Sequence, residues 1–133
     1  MNKILGILVA SFCFSVHAQL AVTFSPPRVV GQKAVVKLVM ENNLAAKVEA
    51  ARAICFLLDG QGNMVGQSTK WVIGQNHTGL EPKGEAMFNF VITSPQPFAT
   101  TNLTAKISFS RVVLNGGKLA DVRQDVLIRA ATK

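Results

Sequence analysis

The chain has 133 residues and a formal charge of +7, from 14 Lys and Arg against 7 Asp and Glu, and 49% of its residues are apolar. Of its two Cys and two His, Cys13 and His17 lie within the first 18 residues, and Cys55 and His77 alone cannot supply a disulfide framework or a zinc site built within one chain. The basic residues are spread from Arg28 to Lys133 with no run of roughly five or six, a pattern of loose association with anionic surfaces and not of a nucleic-acid tract.

Met1 to Ala18 reads as a secretory signal peptide. Lys3 gives the positive start, Ile4 to Val16 the apolar stretch, and Val16-His17-Ala18 the small residues before a cleavage point. The stretch is shorter than the about 20 apolar residues of a membrane span, and no later segment is long and uncharged enough for one. Cleavage after Ala18 is expected to leave Gln19 to Lys133 as a single exported domain, periplasmic or extracellular, with no transmembrane span. Losing Lys3 lowers the charge from +7 to +6, and Cys55 and His77 become the only residues of their kind.

The remaining chain is punctuated by turn signals and has no long helical period. Leu20 to Phe24 is a short strand stopped by Pro26-Pro27, which cannot donate to a ladder. Lys33 to Glu41 alternates, with Ala34, Val36, Leu38 and Met40 on one face, and ends at Asn42-Asn43. Val48 to Asp59 and Met64 to Ile73 flank Asp59-Gly60-Gln61-Gly62-Asn63 and read as a hairpin. Leu80 to Gly84 is a turn. Glu85 to Thr93 is a strand with Ala86, Phe88, Phe90 and Ile92 inward. Leu103 to Leu114 puts Leu103, Ala105, Ile107 and Phe109 inward and Thr104, Lys106, Ser108 and Ser110 outward. Asn115-Gly116-Gly117 predicts a tight hairpin into a last strand, Lys118 to Arg129. Its inward residues would be Ala120, Val122, Val126 and Ile128, and its outward ones Asp121, Arg123, Asp125 and Arg129, paired across to Lys106.

About seven short antiparallel strands with regular turns predict an all-β sandwich of the immunoglobulin-like or fibronectin-like type. The antibody pattern itself is absent: no second cysteine faces Cys55, there is no tyrosine, and the one tryptophan, Trp71, follows the third strand. Between Val35 and Phe90, a strand ending Glu41-Asn42-Asn43 is followed by Phe56-Leu57-Leu58-Asp59 and a turn at Gly60 and Gly62. In this the chain resembles secreted bacterial immunoglobulin-like modules of the FxLYD kind, although Cys55 stands where that family has Phe and Leu58 where it has Tyr. The resemblance covers about half the chain and implies no catalytic residue.

Catalytic and metal chemistry find few carriers. His77 has no nucleophile-elbow motif to serve, and Cys55, inside Ala53-Ile54-Cys55-Phe56-Leu57, has the apolar surroundings of an inert thiol. Asp59 to Met64 departs from a calcium loop at Gln61 and Met64 and reads as a turn. No catalytic, cofactor or metal residue is therefore assigned. Nucleic acid is not an expected partner, because outward aromatics for base stacking are lacking. Asn76-His77-Thr78 and Asn102-Leu103-Thr104 fit the glycosylation pattern, which matters only in a eukaryotic secretory route.

One strand departs from clean alternation. Val48 to Asp59 is apolar on both faces, with Ile54, Phe56 and Leu58 on one and Ala51, Ala53, Cys55 and Leu57 on the other. Either a loop or the N-terminal segment covers the second face, or Ala51, Ala53, Cys55 and Leu57 form an interaction surface. The resulting expectation is a non-enzymatic binding or structural module whose partner is another protein or an anionic cell-surface component. Two alternatives are a chaperone or assembly factor capturing an extended segment, on an unpaired edge near Val29 to Val39, and an inhibitor presenting the loop from Gly74 to Gly84.

Overall fold

The computed structural model describes residues 18–74 and 78–131. The signal-peptide stretch, apart from Ala18, and His77 with Asn76 lie outside the described residues. Eight strands follow in chain order: β1 (Leu20–Phe24), β2 (Arg28–Val30), β3 (Lys33–Asn42), β4 (Val48–Leu58), β5 (Met64–Ile73), β6 (Glu85–Thr93), β7 (Thr104–Leu114) and β8 (Val126–Ala130). They form two facing sheets, an immunoglobulin-like sandwich. In the first, β3 pairs with β6 on one side and with β1 and β2 on the other, and β8 lies outside β1; the second runs β5-β4-β7.

Local chemistry sets these boundaries. β1 and β2 are two halves of one hairpin arm against β3, with Leu20 opposite Asn42 and Val30 opposite Lys33. Ser25 N–H donates to Lys37 O (3.0 Å) just before Pro26-Pro27 interrupts the arm, which resumes at Arg28 opposite Val35. At the far end of β3, Asn42 is fully buried, and its side chain is satisfied from both ends. Its Nδ2 donates to Ala46 O and Leu80 O, and its Oδ1 accepts from Leu44 N–H, each at 3.0 Å. A buried amide left without those partners would cost about 1–3 kcal/mol, so this Asn fixes the crossing from β3 to β4. In the β4–β5 turn, Asp59 Oδ1 accepts from the N–H groups of Gln61 and Asn63, both at 2.9 Å, and Gly62 takes a positive φ of 85°.

The core lies between the inner faces. Ala34, Val36, Leu38 and Met40 of β3 meet Ala51, Ala53, Cys55 and Leu57 of β4, and all eight are buried. Phe90 and Ile92 of β6 complete it on one side and Ala105, Phe109 and Val112 of β7 on the other. Burying each larger side chain contributes about 1.5–3 kcal/mol. Phe88 also points inward but is half-buried, with its ring edge-on to Phe90 (centroids 5.2 Å apart, planes at 77°).

The structure differs from the sequence reading at three places in the fold. β2 is an additional strand, its three residues too short to show alternation after two prolines. The last strand is the second. Lys118 to Arg129 does not run as one strand beside β7. Only a short hairpin forms there, with Leu114 N–H donating to Lys118 O and Ala120 N–H to Val112 O (2.6 and 2.9 Å). The chain then turns at Asp121–Asp125. Asp121 Oδ1 accepts from Arg123 N–H and Asp125 Oδ2 from Asp121 N–H, both at 2.9 Å, so these acids cap a turn and do not pair with Lys106. The third difference follows from it. Released from β7, β8 crosses to the other sheet and pairs with β1 in parallel, the one strand pair among the described residues that is not antiparallel.

Candidate functional site

Cross-strand register builds the outer face of the three-stranded sheet row by row. Trp71, Arg52 and Arg111 form the first row; Thr69, Ile54 and Ser108 the second; Gln67, Phe56 and Lys106 the third; Met64, Leu58 and Thr104 the fourth. Residues directly opposite one another share a face, so these twelve stand together on one surface. Its middle is an apolar column, Ile54, Phe56 and Leu58, each half-buried by flanking side chains. Met64 (57% exposed) and Trp71 (37% exposed) continue it at two corners.

The charge on this face has one sign. Arg52, Arg111 and Lys106 stand in the rows, and no Asp or Glu does. Arg52 is fixed from two directions. Its guanidinium carbon lies 5.6 Å from the centre of the Trp71 ring, within cation–π range, and its Nε donates to Ser110 Oγ at 2.9 Å. A bulge in β7 opposite Arg52 and Ala53 makes this possible, since it leaves both Ser110 and Arg111 on the outside and returns Val112 to the core. The result is a flat, preorganised patch with apolar centre and cationic margin, suited to an acidic surface that also has apolar contacts to offer.

The four residues singled out from sequence lie elsewhere. Ala51, Ala53, Cys55 and Leu57 have no exposed surface. They are the inner face of β4, covered by the opposite sheet, to which the N-terminal strand β1 contributes Leu20 and Val22, so they cannot serve as an interaction surface. Size does not separate the two faces, since Leu57 is inside and Leu58 outside. Arg52 carries the signal that identifies the outer face in the sequence. It shares the parity of Ile54, Phe56 and Leu58, and a charge on a half-buried strand marks the wet side.

Other reactive groups are closed or already engaged. Burial pushes the Cys55 thiol up to about 11, which leaves it protonated and unreactive near neutrality. Asp59 is held below the usual carboxylate range by the backbone N–H groups of Asn63 and then Gln61, so the turn already uses its oxygens. Among the described residues no group of three or more His, Cys, Asp or Glu side chains converges, and no helix is long and apolar enough to cross a membrane. The long open edge expected at Val29 to Val39 is not formed: β3 is paired on both sides, and within that stretch only the three-residue β2, paired to β3 through Val29 and Val30, keeps a side without a partner strand among the described residues. In the loop from Gly74 to Gly84, the described part lies against the sandwich: Leu80 is buried and exchanges backbone hydrogen bonds with Val48 (2.8 and 2.9 Å).

No protein-family model matches the sequence, and no curated protein does. Among solved structures, the chain is similar to a Bordetella pertussis protein described as ApaA. The TM-score is 0.53 at 15% identity, over 79% of this chain and 89% of that one. It is more loosely similar to the CARDB domain of a Pyrococcus furiosus protein, crystallised with two metal ions (TM-score 0.41, 16% identity, 89% of this chain and 100% of that one). At such identities the first likeness concerns the fold alone.

Proposed function

We propose that this chain is an exported, non-enzymatic immunoglobulin-like module, comparable in architecture to FxLYD-type modules. It binds another protein, or an anionic component of the cell surface, through the outer face of the β5-β4-β7 sheet. The observation that carries this reading is the Trp71–Arg52 stack beside the exposed edge of Ile54, Phe56 and Leu58, with Lys106 and Arg111 at the margin. Aromatic and Arg side chains held rigid before binding lose little entropy on contact, which is why such pairs anchor interfaces. A face of one charge sign selects acidic partners and speeds their encounter. The non-enzymatic reading is supported by a thiol that is buried and a carboxylate committed to a turn.

The test is a comparative capture from the native periplasm or medium with the wild-type domain, Trp71→Ala and Arg52→Glu. A partner retained by wild type and lost with both variants supports the reading; one retained equally by all three places binding on another surface. Export has its own measurement. The intact mass of the secreted protein should correspond to a chain beginning at Gln19 or its cyclised form, and a product retaining Met1 sinks that part.

A further inference from the structure

The sandwich has two long seams where the edges of its sheets approach, and the β5/β6 seam is closed around Gly66, although a cavity of about 190 Å³ opens at its Ile73–Phe88 end. Along the β5/β6 seam, Gly66 lies so near β6 that an added Cβ would stand 2.9 Å from Ile92 Cγ2. Neither seam is bridged by a ladder among the described residues: β5 pairs with β4 and β6 with β3, and along the other seam β7 pairs with β4 and β8 with β1. Above it, the chain from Lys118 to Ala120 bonds back to Val112 and Leu114. Below that point, from Thr104 to Ser110, the outer edge of β7 makes no backbone hydrogen bond to another strand among the described residues. The side chains bordering this opening are apolar. Ile107 on β7 and Ile128 on β8 are only half-buried, and at the lower mouth a cavity of about 370 Å³ is lined by Phe24, Pro26, Leu103, Ala105 and Ala130 among others.

We infer that the β7 edge from Thr104 to Ser110 takes up an extended segment of another polypeptide as an added strand, with apolar residues alternating into the seam and acidic residues outward. An unpaired edge supplies main-chain donors and acceptors at strand spacing, and these are met only by another strand or by water. The period of two then fixes the partner's chemistry. Its inward residues meet Ala105, Ile107 and Ile128, and its outward residues lie beside Thr104, Lys106, Ser108 and Ser110, followed by Arg111. Both charged residues of β7, Lys106 and Arg111, are cationic, which favours Asp or Glu in the incoming segment. A second copy of this chain is disfavoured as the occupant, since it brings the same Lys106 and Arg111 on a molecule of formal charge +7. The edge shares Lys106 and Arg111 with the face proposed above but not Trp71 and Arg52, so Trp71→Ala separates the two readings.

The experiment uses two synthetic peptides, one alternating valine with glutamate and one alternating valine with lysine, followed by amide hydrogen exchange in the isotope-labelled protein. Saturating glutamate peptide should slow exchange roughly tenfold or more at amides within 104–110, leave the β5 edge unchanged, and do so equally in Trp71→Ala. The lysine peptide should have little effect on wild type and the larger effect on Lys106→Glu. The wild-type contrast between peptides stands even if that variant folds poorly. Three results overturn the inference: no protection at 104–110 with either peptide; equal protection at the β5 or β6 edge; or protection that rises with protein concentration alone, which would put a second copy in the seam.

Discussion

The two seams of this sandwich are built from similar material and end in opposite states. At β5/β6 the absence of a side chain at Gly66 lets β5 lie close against Ile92, and Ile92 and Phe90 are buried. At β7/β8 the flanking residues, Ile107 and Ile128, are as apolar as those across the barrel of the core, yet they stay half-exposed. The difference is one of connectivity. β5 stays beside β4 through its whole length, whereas the chain leaves β7 after Ala120 and spends its last strand on β1. Hydrophobicity decides which residues prefer the interior; the path of the chain decides which of them get there.

The largest effect should come from the sealed side. Phe90→Ala is expected to cost about 3–5 kcal/mol in denaturant melts, because the ring is 1% exposed and its cavity cannot collapse freely. Phe88→Ala, which loses a half-buried ring, should cost clearly less; equal losses would mean that the Phe88 ring is covered in solution as fully as that of Phe90. Next in size is a titration. The Cys55 thiol is raised from 9.0 to about 11 in the folded chain, so the native state holds its proton more tightly than the unfolded state. Its contribution is complete below about pH 9 and is lost as pH rises through about 11, a change on the order of 2 kcal/mol. A Cys55→Ala variant should lack that alkaline slope. Native protein should also react slowly with a thiol reagent and form no disulfide dimer on a non-reducing gel.

Gly66→Ala presses a methyl group on Ile92 and should destabilise by about 1 kcal/mol, the low end of overpacking costs. A neutral result would show that the closed seam has slack. The smallest change is expected on the open side: Ile128→Val should cost no more than about 0.5 kcal/mol, since Ile→Val at a fully buried site costs about 0.5–1.5. A loss as large as that of a core isoleucine would show the β7/β8 seam to be covered in solution.

Most of the strands were legible because their signals are local. β1, β5 and β6 have the bounds that alternation and turn residues predict, and Asn42 and Asp59 end strands for the reasons their side chains suggest. What escaped was non-local or ambiguous by period. Ala120 to Ile128 alternates on paper, but the side chains of Asp121 and Asp125 bond to backbone within the segment and turn it. The pairing of β8 with β1 joins residues at opposite ends of the chain, and no local pattern encodes it. On β4 both faces are apolar, so period alone could not choose the inner one. The candidate surface was therefore sought on Ala51, Ala53, Cys55 and Leu57, while it lies on the face that Arg52 marks.

The pairing of β1 with β8 also has a mechanical consequence. The two strands lie side by side and run in the same direction, from Leu20 beside Val126 to Phe24 beside Ala130, with Ala131 N–H bonded to Phe24 O beyond them. A force pulling Leu20 one way and Ala130 the other acts along the strands in opposite senses. The hydrogen bonds between them are then loaded in shear, all at once, where an antiparallel hairpin pulled from its open end would unzip bond by bond. Under tension applied through its first and last strands, the domain yields at a force set by the whole ladder, and the core is exposed only after that ladder fails.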